Sequence, residues 1–321
     1  MTEFRPELEA VAPGVHRLRL PIPFPMRWVN VYLLGDGGTP VLVDAGYPVP
    51  EARALLREAL RRAGVRPEVL LVTHAHPDHF GMAAELAEEL ACEVWMEPRE
   101  LEAARAYQPE AATWDELASQ FSQAGVPAPL VEEVVRSGKR VWAPTRPPEV
   151  TRALRADDPL ELGGRRWQVL VTPGHAPAHV CLLDPESGIL VAGDHLLPRI
   201  TPNIGLWPRG SEDPLDDFLR SLATLRPLPV RRVLPGHGDP YDTFAERVQE
   251  LMDHHRERLQ AVLQTLRDGP RTAYQVCMAL FGEDLDSHNV RFAVVETLSH
   301  LEYLKRRGRV RRTDEGTYLA G

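Results

Sequence analysis

The chain has 321 residues, 43% hydrophobic and 26% charged, with a formal net charge of −9. That composition belongs to an ordinary globular protein, long enough for one large domain or for one domain plus a small module. The negative balance gives no general attraction to nucleic acid or anionic membranes. No run approaches eighteen apolar residues, so no membrane span is expected, and the isolated Cys92, Cys181 and Cys277 indicate no disulfide framework.

Met1 to Pro25 lacks the basic start and apolar stretch of a signal peptide, so a cytoplasmic location is the expectation. Val15 to Leu20 alternates apolar and basic residues, the period of a half-buried strand. A proline-broken loop, Pro21 to Pro25, leads to strands at Val29–Leu34 and Val41–Val43, with the turn signal Gly35-Asp36-Gly37-Gly38 between them. Glu51 to Ala63 has helical period. Val69-Leu70-Leu71-Val72 reads as a buried strand and Gly81 to Leu90 as an amphipathic helix. A strand at Glu93–Met96 and a helix from Pro98 follow.

Residues 107–150 break this rhythm. Helical stretches at Trp114–Ala124 and Pro129–Ser137 are separated by proline-rich pieces, which reads as an insertion over or beside a site, or as a packed surface excursion. Strands resume around the hairpin turn Gly163-Gly164 and continue at Val169–Val171, Ile189–Val191 and Val230–Leu234. Two runs of strands interleaved with helices predict an α/β fold, a two-sheet sandwich with helices outside. From Thr243 the pattern is helical: Phe244–Arg267, a shorter helix N-capped by Thr272, and Asn289–Arg307. A short hairpin, Arg309–Arg312 with Gly316–Leu319, ends the chain. The expected division is a domain over 1–242 and a mainly α module over 243–321.

The chemistry concentrates where strands end. The run Val69 to Val72 delivers Thr73-His74-Ala75-His76-Pro77-Asp78-His79, with three imidazoles and one carboxylate inside six residues on one strand-to-helix loop. His74 and His76, two apart, can point the same way, while Asp78 and His79 can point at a second position after the Pro77 bend. Such a cluster can serve one or two metal ions. Three later strands end alike, at His175, at Asp194-His195 and at His237. Seven of the twelve histidines lie in or beside these four segments, which decides against scattered surface histidines.

This ordered set resembles the metallo-β-lactamase-fold hydrolases. Asp44, in Leu42-Val43-Asp44-Ala45-Gly46, fits the aspartate turn that precedes the metal loop in that family. The resemblance covers about residues 15–240 and implies a four-layer αββα sandwich. It implies one metal on His74, His76 and His175, a second on Asp78, His79 and His237, and Asp194 bridging the two. Two zinc ions are the expected cofactors, with iron or manganese also suited to His/Asp donors. Asp78 would hold and orient a metal-shared hydroxide, Asp44 would fix the tautomer of a ligand imidazole, and His195 would contact substrate or deliver a proton. The C-terminal helices and hairpin resemble a winged-helix module, as in the branch that includes β-lactamase-like protein 2.

Several activities fit this layout. The phrase Thr172-Pro173-Gly174-His175-Ala176-Pro177-Ala178-His179 is similar to the glyoxalase II pattern and favours a hydrolase of a small ester, thioester or lactone. The β-lactamase-like protein 2 branch implies an endoribonuclease instead, supported by the basic run Lys305 to Arg312. Residues 241–321 nevertheless hold 12 basic and 13 acidic side chains, so nucleic acid is not the favoured partner. An iron persulfide dioxygenase would use one metal on two histidines and an aspartate, and His79 and His237 speak against it. A silent regulator would be free to lose ligands, and none is missing. Arg199, Asn203 and Trp207 are candidate pocket residues, His179 a loop-holding one, and His254 and His255 solvated or capping ones. A small-molecule partner and a homodimer are compatible with this reading.

Overall fold

The computed structural model describes residues 4–35 and 38–321, so the turn expected across Gly35–Gly38 lies partly outside the described residues. The first sheet takes its strands in sequence order: β1 (Glu9–Ala12), β2 (Val15–Pro21), β3 (Trp28–Leu34), β4 (Val41–Val43), β5 (Val69–Leu71), β6 (Glu93–Met96) and β7 (Arg152–Ala153). β1 to β4 pair antiparallel, and β4 to β7 pair parallel. The second sheet is built from β8 (Pro159–Leu162), β9 (Arg165–Val171), β10 (Val180–Asp184), β11 (Ile189–Gly193) and β12 (Arg232–Pro235), in the order β12-β11-β10-β9-β8. Only β11 and β12 run parallel there.

The sheets face each other and helices cover both outer sides. Val43, Val69 and Leu71 of the first sheet meet Trp167, Val169, Leu182 and Val191 of the second in the inner core. Leu42 and Leu70, one residue out of step, point the other way. They pack against α1 (Pro50–Ala63), α3 (Ala83–Leu90) and their neighbours through residues such as Leu56 and Leu86. The period of two thus feeds two cores from one strand, and because both faces are covered the run reads as continuously apolar. On the far side Leu183, Leu190 and Val233 pack on α7 (Pro214–Leu225) and the first half of α8 (Phe244–Thr265). The chain therefore adopts the four-layer αββα sandwich that the resemblance implied.

The remaining helices gather at one end. They are α2 (Pro77–Phe80), α4 (Pro98–Ala106), α5 (Thr113–Gln123), α6 (Ala128–Trp142), α9 (Ala273–Phe281) and α10 (Ser287–Arg306), followed by the hairpin β13 (Val310–Arg312) and β14 (Tyr318–Ala320). Trp114, Phe121 and Val134 of the 107–150 segment share one buried cluster with Val276, Val294 and Leu298 and with the outer face of the first sheet. Packing does not break at 242/243. Val248 and Leu251 of α8 belong to the second sheet's cover, while Val262 of the same helix joins the C-terminal helices. Thr272 caps α9 with a reciprocal bond to Gln275, as its sequence predicts.

Five elements have no counterpart among those predicted from the sequence: β1, β7, β10, α7 and α2, whose residues read as a loop. β10 is buried at all five positions, so it shows no alternation. The signal for α7 was present: Asp213 caps it and Pro214 occupies its first turn. Among the described residues no helix is long and apolar enough to cross a membrane.

Candidate metal centre

The centre is assembled where β4, β5, β9, β11 and β12 end. Asp44 leaves β4 in the left-handed region, at φ 64°, which turns its carboxylate toward the neighbouring loop. Its Oδ1 accepts the Thr73 backbone N–H at 2.8 Å and its Oδ2 accepts the Thr73 hydroxyl at 2.9 Å. The same Oδ2 accepts His79 Nδ1–H at 2.7 Å, the imidazole contact expected of this residue. Since the Thr73 hydroxyl proton is committed to Asp44, its oxygen receives His74 Nδ1–H at 2.9 Å. His175 Nδ1 donates to the Asn203 carbonyl at 3.0 Å and His237 Nδ1 to the Trp28 carbonyl at 2.7 Å. Four imidazoles are thus held by their outer nitrogens with Nε2 left inward.

The inward atoms converge. His74, His76, His175 and Asp194 form one group with ligand atoms within 4.8 Å of one another, and Asp78, His79 and His237 form a second. Asp194 reaches both: its oxygens lie 3.7 Å from His175 Nε2, 3.4 Å from His79 Nε2 and 3.5 Å from His237 Nε2. His237 Nε2 also lies 3.2 Å from Asp78 Oδ2. His79 Nε2, His175 Nε2, His237 Nε2 and Asp194 Oδ1 are buried without a hydrogen-bond partner. Buried polar atoms are rarely left so, and these are nitrogen and oxygen donors of the kind a divalent cation takes.

The electrostatics divide along the same line. Burial and then the His175 ring push His76 down to about 3, and burial likewise lowers His74 and His175, so these imidazoles stay neutral as ligands must. Burial also opposes a charge on His237, but Asp194 and Asp78 outweigh it and lift the ring to about 10. His79 is drawn up in the same way by Asp194, Asp44 and Asp78. Three carboxylates crowded around two imidazoles call for positive charge, and a cation would supply it.

Backbone and buried polar groups hold the loops at this spacing. His179, fully buried, donates from Nδ1 to Thr172 Oγ1 at 3.1 Å and accepts the Asp194 N–H on Nε2 at 3.1 Å. It holds the loop that presents Asp194. A side chain is excluded at Gly236, where a Cβ would lie 2.2 Å from Asp194 Oδ1. Glu100, from α4, accepts Ala75 N–H at 2.8 Å on one oxygen and Ala178 N–H at 2.6 Å on the other. One buried carboxylate therefore ties the His74–His79 loop to the His175–His179 loop, and burial raises its pKa to about 7. No spacing or motif marks Glu100 in the sequence.

A cavity of about 1000 Å³ opens over the centre. His76, Asp78, His175 and Asp194 form its floor, and Tyr107, Trp114 and Trp142 of the 107–150 segment form one wall. α10 supplies another with Arg291, Phe292 and Glu296, beside Asn203 and Trp207. The insertion therefore shapes the pocket, and the C-terminal helices help to close it. Arg199 is not among the lining residues. His195 is also elsewhere: it is fully buried behind the floor, its ring 4.9 Å from Phe218 and 5.8 Å from His179, with both nitrogens unpartnered. This placement does not bring it to substrate. His255, equally buried, lies 3.2 Å from His300 Nε2 and away from the cavity, so it is neither solvated nor capping.

The sequence model of the metallo-β-lactamase superfamily matches residues 27–237, which contain every strand that ends in a ligand. The chain belongs to the metallo-β-lactamase superfamily. A second model, the metallo-β-lactamase-like C-terminal domain, matches residues 259–318. The probable metallo-hydrolase YqjP of Bacillus subtilis is 31% identical over 90% of this chain and 91% of its own. The β-lactamase-like protein 2 homolog of Caenorhabditis elegans is 26% identical over 77% of this chain and 68% of its own. The atrochrysone carboxyl ACP thioesterase of Aspergillus fumigatus is 23% identical, covering 86% and 76%. A crystal structure of a metallo-β-lactamase family protein from Thermus thermophilus superposes with a TM-score of 0.86 at 37% identity, covering 97% of this chain and all of that one. The protein is thus a metallo-hydrolase of this superfamily with a His/Asp cluster suited to divalent metal.

Proposed function

We propose that the protein is a dinuclear metal hydrolase that cleaves a small ester or thioester with an apolar acyl body. The observation that carries this reading is Asp194, whose one carboxylate reaches both ligand groups at the base of a single aromatic-walled cavity. His74, His76 and His175 would hold one ion and Asp78, His79 and His237 the other, with Asp194 between them. When bound, such a pair supplies an activated water at neutral pH and polarises the substrate carbonyl. Asp78, on the cavity floor, would hold and orient that water. Water oxygen joins the acyl carbon as the C–O or C–S bond breaks, and the products are a carboxylic acid and an alcohol or thiol. No side-chain nucleophile is required, and the buried Cys181, its thiol pushed up to about 12 by burial, offers none.

The thioesterase among the relatives supports an acyl substrate. A nuclease reading would draw on the basic run Lys305 to Arg312, but the first three of its six cations are engaged. Lys305 pairs with Glu302, Arg306 with Glu212 and Glu302, and Arg307 with Asp213 and Asp216. A mononuclear dioxygenase would leave His79 and His237 without the purpose their orphaned Nε2 atoms indicate.

Elemental mass spectrometry of protein purified without added metal tests the reading, alongside Asp78→Ala. About two zinc ions per chain, falling in the variant, together with ester or thioester hydrolysis, is the expected result. About one iron per chain, unchanged in the variant, would overturn it in favour of oxygen chemistry.

A further inference from the structure

Arg291, on α10, is a wall residue of the cavity and only 6% exposed. Buried guanidinium groups are nearly always paired with carboxylates, because an unpaired buried charge is costly. Among the described residues this one has neither a salt bridge nor a protein hydrogen bond, and its Nε is an unpartnered buried donor. Its guanidinium carbon instead lies 4.7 Å from the centre of the Phe292 ring. Burial lowers its pKa to about 10, so it remains a cation at neutral pH.

The surrounding fold makes room for this charge. Gly138 lies inside α6, a position where glycine weakens a helix relative to alanine. A Cβ there would lie 2.3 Å from Trp114 and 3.1 Å from Arg291 Nη1. The glycine seats the tryptophan and the guanidinium side by side at the cavity wall. Tyr107, also on that wall, has its hydroxyl committed to the Pro208 carbonyl at 2.8 Å and so leaves the guanidinium unanswered.

We propose that Arg291 is the substrate anchor, binding an oxyanionic group, carboxylate or phosphate monoester, at one end of an apolar substrate whose scissile bond lies over the His/Asp centre. The proposal rests on the hydrolase reading for the role of the bound molecule, whereas binding itself is independent of catalysis. Guanidinium matches either oxyanion through two parallel N–H donors, and the aromatic wall accepts the apolar body between the two ends. A neutral ester of the same shape would leave the buried charge unpaired, so the site discriminates against it.

Calorimetric titration of the full-length protein with 4-phenylbutyrate, 4-phenylbutyl phosphate and the neutral 4-phenylbutyramide tests this directly, on wild type, Arg291→Met and Arg291→Lys. Wild type should bind at least one of the two anions about 10- to 100-fold more tightly than the amide, the range set by a charge-assisted bond in a buried site. Which anion binds tighter identifies the source of the oxyanion. Arg291→Met should abolish the preference and Arg291→Lys should keep part of it. Wild type that binds the amide as tightly as both anions, or an Arg291→Met protein that keeps the preference, would overturn the proposal. Should the methionine variant fail to fold, the wild-type preference and the lysine variant still decide. Hydrolysis of 4-nitrophenyl butyrate against the mono-4-nitrophenyl ester of glutaric acid then addresses the reaction. If neither ester is cleaved while the anion preference holds, the hydrolase reading fails and the anchor stands.

Discussion

The floor and the wall of the cavity are built by different rules. On the floor, seven candidate ligands come from four short segments, each placed at the end of a strand, and the outer nitrogens of four of them are pinned by Asp44, the Thr73 hydroxyl and the carbonyls of Trp28 and Asn203. The wall is assembled from α10 and from the 107–150 segment, which meet only in three dimensions and carry Trp114, Trp142, Arg291 and Glu296. The floor is fixed by strand geometry and charge and the wall by helix packing. Asn203 joins the two, its carbonyl on His175 and its side chain on Glu296.

Asp194→Asn is the substitution with the largest expected effect, because it weakens both ligand groups at once. Hydrolysis should fall on the order of 10³-fold, about 4 kcal/mol at 1.36 kcal/mol per decade, and metal content should drop with it. Initial rates and elemental analysis of the same sample check both. Full activity in this variant would end the claim that one carboxylate serves both groups. Trp207→Ala alters the wall alone. Its ring lies 6.0 Å from that of Phe292 and 6.4 Å from that of Tyr107, so its loss should raise KM about 5- to 30-fold, the equivalent of about 1–2 kcal/mol of apolar contact, with metal content unchanged. A variant that lost metal as well would show that floor and wall are coupled.

The smallest effect is one of pH. Burial chiefly raises Glu296 to about 7 from an ordinary value of 4.5, against the Asn203 side chain, which donates to it at 3.0 Å. Because the folded value lies above the unfolded one, this group's contribution to stability is full below the ordinary carboxylate range and is lost as pH rises through about 7. Glu296→Gln does not titrate. It should melt with wild type near pH 5 and above it at pH 8, by about 2–4 °C, the shift that 1 kcal/mol produces in a domain of 150–250 residues. Scanning calorimetry at the two pH values is sufficient, and parallel melting curves at both would remove Glu296 from the wall's electrostatics.

The same division explains what could be read from the sequence. His74, His76, Asp78, His79, His175, Asp194 and His237 stand out because each follows an apolar strand and because strand-end loops converge at one edge of a sandwich. Asp44 was legible only through the family resemblance, which implied a contact with a ligand imidazole, and that imidazole is His79. Glu100 was not, since its partners are the backbone amides of Ala75 and Ala178, and a backbone amide leaves no residue signature. Arg291 was hidden differently: one arginine on an amphipathic helix looks like any solvated one until the packing of α6 against α10 buries it. His195 misled because adjacency in sequence to Asp194 suggested the same orientation, whereas Asp194 lines the cavity and His195 is buried against Phe218 and His179.

Glu100 carries one more consequence. By holding the amides of Ala75 and Ala178 together, it ties the two ligand-bearing loops through bonds within the protein. The loss of loop freedom is thus borne by folding rather than by metal capture, and an entering cation meets donors already gathered. A tether of this kind would lower the ordering cost of capturing a cation, because the spacing of the donors is set by bonds within the protein.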